Sequence, residues 1–304
     1  MVIPKPLRQG ARVALIAPAG PVPPEKLDPA ADTVKQLGLE PVIFESCRAL
    51  HGYFAGSDDL RASDINCAFA DKSMAGVLCM RGGYGTQRLM NRIDFNLIRQ
   101  NPKVFCGYSD ITALHIAINQ QCRLVTYHTP MPVTELCAGA DSYTMNGLKT
   151  ALFTDSCHTL KNPDGVPMET LVAGCAHGTL TGGNLSLVSS SLGTCYEIDT
   201  RGKILFLEDV DEKPYRIDGM LNHLRAAGKF RDCAGIMLGY FTNCSAKEGE
   251  PSLTLAQIAK ELIVPEQKPA VMGVACGHSL PTMSLAMGKT VELNTFFQQI
   301  RVLG

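Results

Sequence analysis

Short apolar segments alternate with helix-like segments through the first half of the chain. Continuous apolar runs, which are typical of buried strands, occur at Arg12–Ala17, Pro41–Phe44, Gly76–Met80, Lys103–Cys106 and Leu124–Tyr127. The segments between them predict helices over 24–37, 57–69 and 142–153. Strands that are apolar on both faces and are joined by helices are typical of a parallel sheet. The first half therefore predicts an α/β domain with a Rossmann-like or flavodoxin-like sheet.

The alternation fails between residues 154 and 171. The segment Asn162-Pro163-Asp164-Gly165 there is typical of a connector. Beyond it the pattern resumes, with strands predicted over 203–207, 234–240 and 270–274, helices over 215–227 and 252–262, and short β-elements after Met283. We therefore predict an N-terminal α/β domain over 1–153, a linker over 154–171 and a smaller C-terminal domain over 172–304.

Composition and charge exclude several classes of protein. The 304 residues are 45% hydrophobic and 19% charged, with a formal net charge of −1. This balance allows a sizeable core and gives no basic surface for nucleic acid. The start of the chain lacks the apolar segment of a signal peptide, and no window approaches the ~18 apolar residues of a membrane span. We expect a soluble, cytoplasmic protein. Its 12 cysteines include no Cys-x-x-Cys pair, so neither a zinc site nor a dithiol site is indicated.

The stretch Val104–Thr112 combines a strand, a tight turn and the start of a helix, with Ser109 at the apex. A serine in this position presents its hydroxyl next to backbone N–H groups, which suits a nucleophile that must stabilise an oxyanion. The stretch departs from the pattern Gly-x-Ser-x-Gly, because Ile111 stands where the second glycine would be. By itself it favours the simpler interpretation, in which Ser109 caps a helix.

Two further polar residues lie at or just past the ends of predicted strands. Glu208 follows one apolar run and His278 follows another. Serine, histidine and a carboxylate together can carry out acyl transfer, since the imidazole takes the serine proton and the carboxylate orients the imidazole. If Glu208 and His278 meet Ser109, the site lies at the interface of the two domains.

Each of these candidates has an alternative. Lone histidines are more often structural than catalytic, and His128, which also follows a predicted strand, is the main rival of His278. The other rivals are His115, His177 and His223. Glu208 could also be a solvated strand end, since Asp209 is adjacent to it.

The loop Arg81-Gly82-Gly83-Tyr84-Gly85 follows the third predicted strand. Its glycines let backbone N–H groups approach a substrate oxygen, so the loop could form an oxyanion hole together with the N–H of Asp110. A phosphate cradle is the alternative, but the chain has neither Gly-Lys-Ser/Thr nor Gly-x-Gly-x-x-Gly.

Five motifs in this order resemble those of the LD-carboxypeptidase family of serine peptidases, which includes the microcin C immunity proteins. The motifs are Met80-Arg81-Gly82-Gly83-Tyr84-Gly85, Gly107-Tyr108-Ser109-Asp110, Gly178-Thr179-Leu180-Thr181-Gly182-Gly183-Asn184-Leu185, Leu207-Glu208-Asp209-Val210 with Pro214-Tyr215-Arg216, and Gly277-His278. The resemblance spans nearly the whole chain. It implies an N-terminal α/β domain, a smaller β-rich C-terminal domain and a homodimer.

The resemblance also implies roles for individual residues. Ser109 would be the nucleophile, Glu208 the acidic residue and His278 the base, while the backbone N–H groups near Gly83 and at Asp110 would form the oxyanion hole. The nucleophile turn of the family likewise lacks the second glycine. No metal or cofactor is implied, because these groups supply the nucleophile, the proton transfer and the charge stabilisation.

The usual reaction of the family is removal of the terminal D-alanine from muropeptide tetrapeptides in cytoplasmic peptidoglycan recycling. The bond that is cut follows an L-configured centre of diaminopimelate or lysine, and the residues leave this choice open. The D-alanine carboxylate calls for a cation or N–H groups, and Arg81 and Arg216 are the candidates.

Two other functions stay open. An immunity-type hydrolase would cleave an aminoacyl nucleotide antibiotic and would need an aromatic ring to stack on the base. The chain has no Trp, and the connector 154–171 offers only His158 as a ring, which disfavours this function. The third possibility is a non-catalytic module that binds a small ligand in the same place.

Overall fold

The structure is a computed structural model that describes residues 1–303. The chain divides into two compact units. The first consists of Met1–Asp155 together with Ser284–Gly288, and the second consists of Ser156–Met283 together with the chain from Lys289 onward.

The first unit is built on a six-stranded sheet in the order β12-β5-β4-β3-β1-β2. Its strands are β1 (Arg12–Ile16), β2 (Glu40–Ile43), β3 (Gly76–Cys79), β4 (Val104–Gly107), β5 (Thr126–His128) and β12 (Leu285–Met287). Strands β1 to β5 are parallel, and β12 runs antiparallel to β5. The order 2-1-3-4-5 is that of flavodoxin-like sheets, whose ligands bind beyond the carboxyl ends of the strands. The predicted fold class is confirmed.

Helices connect the parallel strands of this sheet, and one more helix follows the last of them. They are α1 (Pro24–Gln36), α2 (Asp58–Ala70), α3 (Phe95–Gln100), α4 (Thr112–Ala117) and α5 (Ser142–Phe153), with 3₁₀ turns at Glu45–Cys47, Thr86–Arg92 and Ser109–Ile111 and π turns at Ile118–Cys122 and Pro132–Leu136. Three helices begin at capping side chains: the N–H of Leu60 donates to the Ser57 hydroxyl, that of Leu97 to the Asp94 carboxylate and that of Thr144 to the Asp141 carboxylate. Such caps satisfy N–H groups that have no partner within the helix.

The second unit is built on an eight-stranded sheet in the order β6-β14-β13-β8-β9-β10-β11-β7. Its strands are β6 (His158–Leu160), β7 (Glu169–Val172), β8 (Cys175–Asn184), β9 (Ile204–Val210), β10 (Gly235–Thr242), β11 (Ala270–Met272), β13 (Thr290–Asn294) and β14 (Gln299–Val302). Its helices are α6 (Leu185–Ser190), α7 (Pro214–Ala226), α8 (Lys229–Asp232) and α9 (Leu255–Leu262), with a 3₁₀ turn at Val264–Glu266. The central strands β8 to β11 are parallel, and antiparallel strands extend the sheet on both sides.

The structure differs from the predicted division of the chain in two places. Leu285–Met287, which we assigned to the C-terminal domain, forms the edge strand of the first sheet, where Leu285 and Met287 are buried. The predicted linker 154–171 contains β6 and most of β7, which pair with β14 and β11. Between these strands the Asn162 amide donates to two backbone carbonyls and accepts from the N–H of Ala275. The segment is therefore a structured part of the second unit.

No helix within residues 1–303 has both the length and the apolar character needed to cross a membrane.

Candidate active site

Ser109 lies in a strained turn between β4 and α4. Its φ angle is 64°, in the left-handed region, which costs a residue with a Cβ atom about 1–2 kcal/mol. The N-caps of the 3₁₀ turn and of α4 are Tyr108 and Ile111, and neither helical segment has a capping side-chain hydrogen bond. The simpler interpretation of Ser109 as a helix cap is therefore wrong. Asp110 lies in the first turn of this helical segment, where backbone N–H groups have no acceptor within the helix.

The glycine loop comes unusually close to the Ser109 side chain. A Cβ atom on Gly82 would lie 2.8 Å from the Ser109 Cβ and 2.9 Å from its hydroxyl oxygen. The loop is held from behind by Gly20, whose N–H donates to the Gly82 carbonyl over 3.2 Å. Gly83 has a φ of 130°, and a Cβ there would lie 3.0 Å from the Gly20 backbone. Glycine is required at Gly82 because the Ser109 side chain occupies the space that a Cβ would fill, and at Gly83 because the Gly20 backbone does.

The carboxylate of Asp110 ties the glycine loop to the serine turn. It accepts the N–H of Thr86 over 2.8 Å, and the Thr86 hydroxyl donates to the Asp110 carbonyl over 2.6 Å. Burial raises the pKa of Asp110, while the hydrogen bonds from Thr86 act in the opposite direction. The sequence predicted only a role for the Asp110 backbone, and this positioning role of its side chain was missed.

Glu208 and His278 form a hydrogen-bonded pair in the second unit. The Nδ1 atom of His278 lies 2.7 Å from the Oε2 atom of Glu208. Glu208 was predicted at or just past the end of its strand, but it lies inside β9 and is fully buried, so it is not a solvated strand end. Burial raises the pKa of Glu208, and His278 partly opposes this. The His278 side chain is 16% exposed, so a buried carboxylate orients a partly accessible imidazole.

Gly277 allows this pair to form. Its φ is 133°, and a Cβ there would lie 2.9 Å from the Oε2 atom of Glu208 and 3.3 Å from the Cβ of Tyr240. On the other side of the histidine, the Ser279 hydroxyl lies 2.7 Å from that of Thr242. The loop that carries His278 is thereby attached to β10.

A buried polar cluster supports the strand that carries Glu208. The Asp209 carboxylate accepts from the Asn184 amide over 2.8 Å and from the Ser186 hydroxyl and N–H over 2.8 and 3.0 Å. Burial raises the pKa of Asp209, and its hydrogen bond from the Ser186 hydroxyl opposes this. Asn184 also accepts the N–H of Leu187 and so caps α6. The sequence analysis missed this cluster, although an asparagine between a strand and a helix is a capping signal.

The rival histidines have structural contacts. His115 is buried between the Thr126 hydroxyl and the Gly107 carbonyl, each 2.8 Å from a ring nitrogen, and burial lowers its pKa to about 4. His128 is buried at the end of β5 with its ring 5.2 Å from that of Tyr108. His223 lies 3.4 Å from the Ser189 hydroxyl, and His177 lies 3.6 Å from Glu292 on an exposed face. Of these five histidines, His278 has the close hydrogen bond to a buried carboxylate.

The two arginines that we considered for the substrate carboxylate have protein partners. Arg81 donates to the carbonyls of Pro21 and Gly82 over 3.2 and 3.3 Å. Arg216 donates to Glu212 over 2.6 Å, and this hydrogen bond is the main cause of the raised pKa of Arg216. Their role in substrate binding stays a prediction. Residues 1–303 contain no group of three or more His, Cys, Asp or Glu side chains arranged to hold a metal ion.

A strained serine beside backbone N–H groups, and a histidine oriented by a buried carboxylate, are the functional groups that serine hydrolases use. Residues 13–129 match the profile of the LD-carboxypeptidase N-terminal domain, and residues 177–293 match that of the LD-carboxypeptidase C-terminal domain. The chain belongs to the LD-carboxypeptidase family, which is peptidase family S66, and the resemblance seen in the sequence is confirmed.

Similar proteins extend over the whole chain. A relative from Bacillus subtilis (strain 168), named "Probable murein peptide carboxypeptidase", is 44% identical over 292 residues, which cover 96% of this chain and 91% of the relative. The crystal structure of a muramoyltetrapeptide carboxypeptidase from Oxalobacter formigenes has a TM-score of 0.84 at 28% identity and covers 96% and 97% of the two chains. The microcin C7 self immunity protein MccF has a TM-score of 0.93 and covers 100% and 99%, but at 19% identity it shows the fold alone.

Proposed function

We propose that this protein is a muramoyltetrapeptide carboxypeptidase that releases the terminal D-alanine of muropeptide tetrapeptides during cytoplasmic peptidoglycan recycling. The observation that carries the proposal is the hydrogen bond between Glu208 and His278, in a family of serine peptidases whose proposed nucleophile here is Ser109. The substrate class is supported by the name of the 44% identical relative, a probable murein peptide carboxypeptidase.

In the proposed mechanism, His278 activates Ser109. An ionised Glu208 accepts the Nδ1 proton of His278, which leaves the lone pair of the imidazole on Nε2. Nε2 takes the proton of the Ser109 hydroxyl as the oxygen attacks the carbonyl that precedes D-alanine. The same proton then passes to the amino group of the leaving D-alanine, and the substrate carbonyl stays attached to Ser109 as an ester.

The negative charge on the carbonyl oxygen is stabilised by backbone N–H groups. The N–H of Asp110 and that of Gly83 are the proposed donors, and a donor of this kind contributes about 10²–10³ in rate. Their positions are fixed before the substrate arrives, because Thr86 and Gly20 hold the serine turn and the glycine loop. His278 then takes a proton from a water molecule, and the water oxygen attacks the ester carbonyl. The ester bond to Ser109 breaks, His278 gives its proton to the Ser109 oxygen, and the shortened peptide leaves.

The test is mass spectrometry of defined tetrapeptides incubated with the protein. We expect loss of D-alanine from the tetrapeptide with the wild-type protein and none with Ser109→Ala, while both have the same unfolding midpoint. Ser63→Ala is a matched control, because Ser63 is an exposed residue of α2, and it should retain full activity. Undiminished release by Ser109→Ala would remove Ser109 from the mechanism.

The same assay separates the other functions. An aminoacyl sulfamoyl adenylate is offered beside the muropeptide, and hydrolysis of the adenylate alone would favour an immunity-type hydrolase. A serine-directed covalent probe should label Ser109 only if the hydroxyl is activated. Absence of both labelling and hydrolysis would favour a binding module.

A further inference from the structure

Arg61 is a charged side chain that the structure buries completely next to the glycine loop. It lies in the first turn of α2, and none of its side chain is exposed. Burying a guanidinium group is costly unless its charge is paired and its N–H groups have acceptors. The proposed mechanism assigns no role to this arginine, so the contacts that compensate for its burial indicate what it does.

The guanidinium of this arginine joins three segments of the first unit. Its Nη1 atom donates to the Pro18 carbonyl over 2.7 Å, and its Nη2 atom donates to the Asp58 carboxylate over 2.5 Å. Its central carbon lies 4.6 Å from the centroid of the Phe54 ring, which is the distance of a cation–π contact. Pro18 belongs to the loop after β1, in which the N–H of Gly20 donates to the Gly82 carbonyl. The arginine therefore anchors the loop that holds the glycine loop from behind.

Gly85, at the end of the glycine loop, packs directly against Arg61. A Cβ atom on Gly85 would lie 2.7 Å from the Arg61 Nη1 atom and 2.6 Å from a carbon of the Phe54 ring, and the φ of Gly85 is 127°. The backbone of the loop thus rests on the guanidinium with no room for a side chain between them. On its other side the loop meets the serine turn, because the N–H groups of Gly85 and Thr86 donate to the Asp110 carboxylate.

Arg61 and Asp110 carry opposite charges on the two sides of this loop. Burial raises the pKa of Asp110, and the hydrogen bonds from the loop and the charge of Arg61 oppose this. Burial lowers the pKa of Arg61, and the charges of Asp58 and Asp110 oppose this, while the like charge of Arg88 adds to the lowering. An ionised carboxylate accepts N–H hydrogen bonds more strongly than a neutral carboxyl group does. A buried cation that favours the ionised form of Asp110 therefore strengthens the attachment of the loop to the serine turn.

We propose that Arg61 is a positioning residue for the oxyanion hole, whose buried guanidinium holds the glycine loop against the Asp110 carboxylate and so beside Ser109. The proposal rests on the proposed carboxypeptidase function, because the oxyanion hole belongs to that mechanism. Arg61 acts on the reaction through Gly85 and Asp110. The charge on the substrate oxygen develops only in the transition state, so loss of Arg61 should lower kcat and leave KM nearly unchanged.

The experiment measures kcat for D-alanine release from about pH 5 to about pH 9 in variants with and without the charge. Arg61→Met removes the charge, so kcat should fall by about 10-fold or more and the midpoint of its acid limb should rise by about 1 pH unit. Arg61→Gln is also neutral, but its amide can still donate to the Pro18 carbonyl, so it disturbs the fold less and should show the same shift. Arg61→Lys keeps the charge and should keep the wild-type acid limb.

Arg88→Met is the matched control for the loss of a guanidinium. Arg88 lies 4.8 Å from the centroid of the same Phe54 ring and 2.9 Å from the same Asp58 carboxylate, but its side chain is about half exposed. It should have the kcat and the pH profile of the wild-type protein. A shift of the acid limb in both arginine variants would contradict the proposal, because the effect would then not depend on the buried charge.

A double variant separates positioning from a merely structural role. Asp110→Asn removes the carboxylate on which Arg61 acts, so adding Arg61→Met to it should lower kcat by less than about threefold and should not move the acid limb. A purely structural arginine would cause the same loss of kcat in both backgrounds. That outcome would overturn the proposal.

A further measurement does not depend on catalysis. The carboxyl carbons of isotope-labelled aspartates are followed by NMR as the pH is changed, and the Asp110 signal is identified by its loss in Asp110→Asn. Asp110 should ionise at a higher pH in Arg61→Gln than in the wild-type protein or in Arg88→Met. Failure of the proposed function would appear as no D-alanine release by the wild-type protein, whereas the NMR titration would still report the interaction of the two charges. The proposal is overturned if Asp110 titrates alike in all three proteins.

Discussion

Replacing Gly82 with alanine is the most direct test of the geometry around Ser109. The new methyl carbon would lie 2.8 Å from the Ser109 Cβ, 2.9 Å from its hydroxyl oxygen and 3.5 Å from the Asp110 nitrogen. Carbon atoms in favourable contact are about 3.5–4.0 Å apart, so one of the two backbones must move by roughly 0.7 Å. Rotation of the Ser109 side chain does not help, because it moves the hydroxyl and leaves the Cβ in place.

The size of the effect follows from that displacement. Misplacing a reacting group by about 1 Å costs about 100-fold in rate, and weakening one oxyanion donor costs about 10²–10³. We expect kcat of Gly82→Ala to fall by at least about 100-fold, which is about 2.7 kcal/mol in activation free energy. Gly82 does not have a left-handed φ, so the only structural cost is the overlap, about 1–3 kcal/mol of unfolding free energy.

The assay is D-alanine release at saturating tetrapeptide, with urea unfolding of the same preparation. Gly219→Ala is the control: Gly219 lies inside α7 with nothing within 4 Å of a new Cβ. That change should leave kcat unaltered and stabilise the protein by up to about 1 kcal/mol. A folded Gly82→Ala protein whose kcat stays within threefold of wild type would refute the argument that the closeness of Gly82 and Ser109 serves catalysis.

Three further predictions test the strain and charges of the proposed site. Glu208→Gln keeps the size of the side chain but removes the charge that orients His278, so D-alanine release should fall by about 10³-fold or more, and a loss below tenfold would contradict this role. Burial holds the pKa of His115 at about 4, against an ordinary value of 6.5, so the unfolded chain takes up a proton between pH 6.5 and pH 4 that the folded protein does not. Stability should therefore fall as the pH is lowered through this range. In urea unfolding, the free energy of unfolding lost between pH 6.5 and pH 4 should be about 3 kcal/mol smaller for His115→Gln than for wild type. Equal losses for the two proteins would contradict this prediction. Ser109→Gly should be more stable than Ser109→Ala by about 1 kcal/mol in urea unfolding, because only glycine adopts the left-handed φ of 64° without strain, and both variants should be inactive.

The strands that could be predicted are those buried on both faces. All residues of β3 and β4, and nearly all of β1, are buried, so each appears as a continuous apolar run. The edge strands β6 and β7 have no such pattern, because their residues are only partly buried or exposed. They are strands because they pair with β14 and β11, which lie far away in the sequence. An edge position is a tertiary property that local periodicity does not contain.

Local sequence also does not reveal how the residues of the proposed site come together. The residue types of Ser109, Glu208 and His278, and their places near strand ends, could be recognised in the sequence. The hydrogen bond between Glu208 and His278 joins residues 70 positions apart and depends on how β9 and the loop after β11 fold together. The approach of Gly82 to Ser109 depends in the same way on neighbouring strands β3 and β4. No residue type signals that Ser109 adopts a left-handed φ, since serine rarely does so.

The strain at Ser109 must be balanced by structure around the turn, and His115 supplies part of it. Its two ring nitrogens bridge the Gly107 carbonyl at the end of β4 and the Thr126 hydroxyl at the start of β5. Because the folded protein keeps this histidine neutral, both hydrogen bonds persist well below the ordinary pKa of histidine. Thr86 and Asp110 hold the turn from the side of the glycine loop. A strained residue persists only where such contacts over-determine its position. We therefore expect His115 to help position the turn that carries the proposed nucleophile.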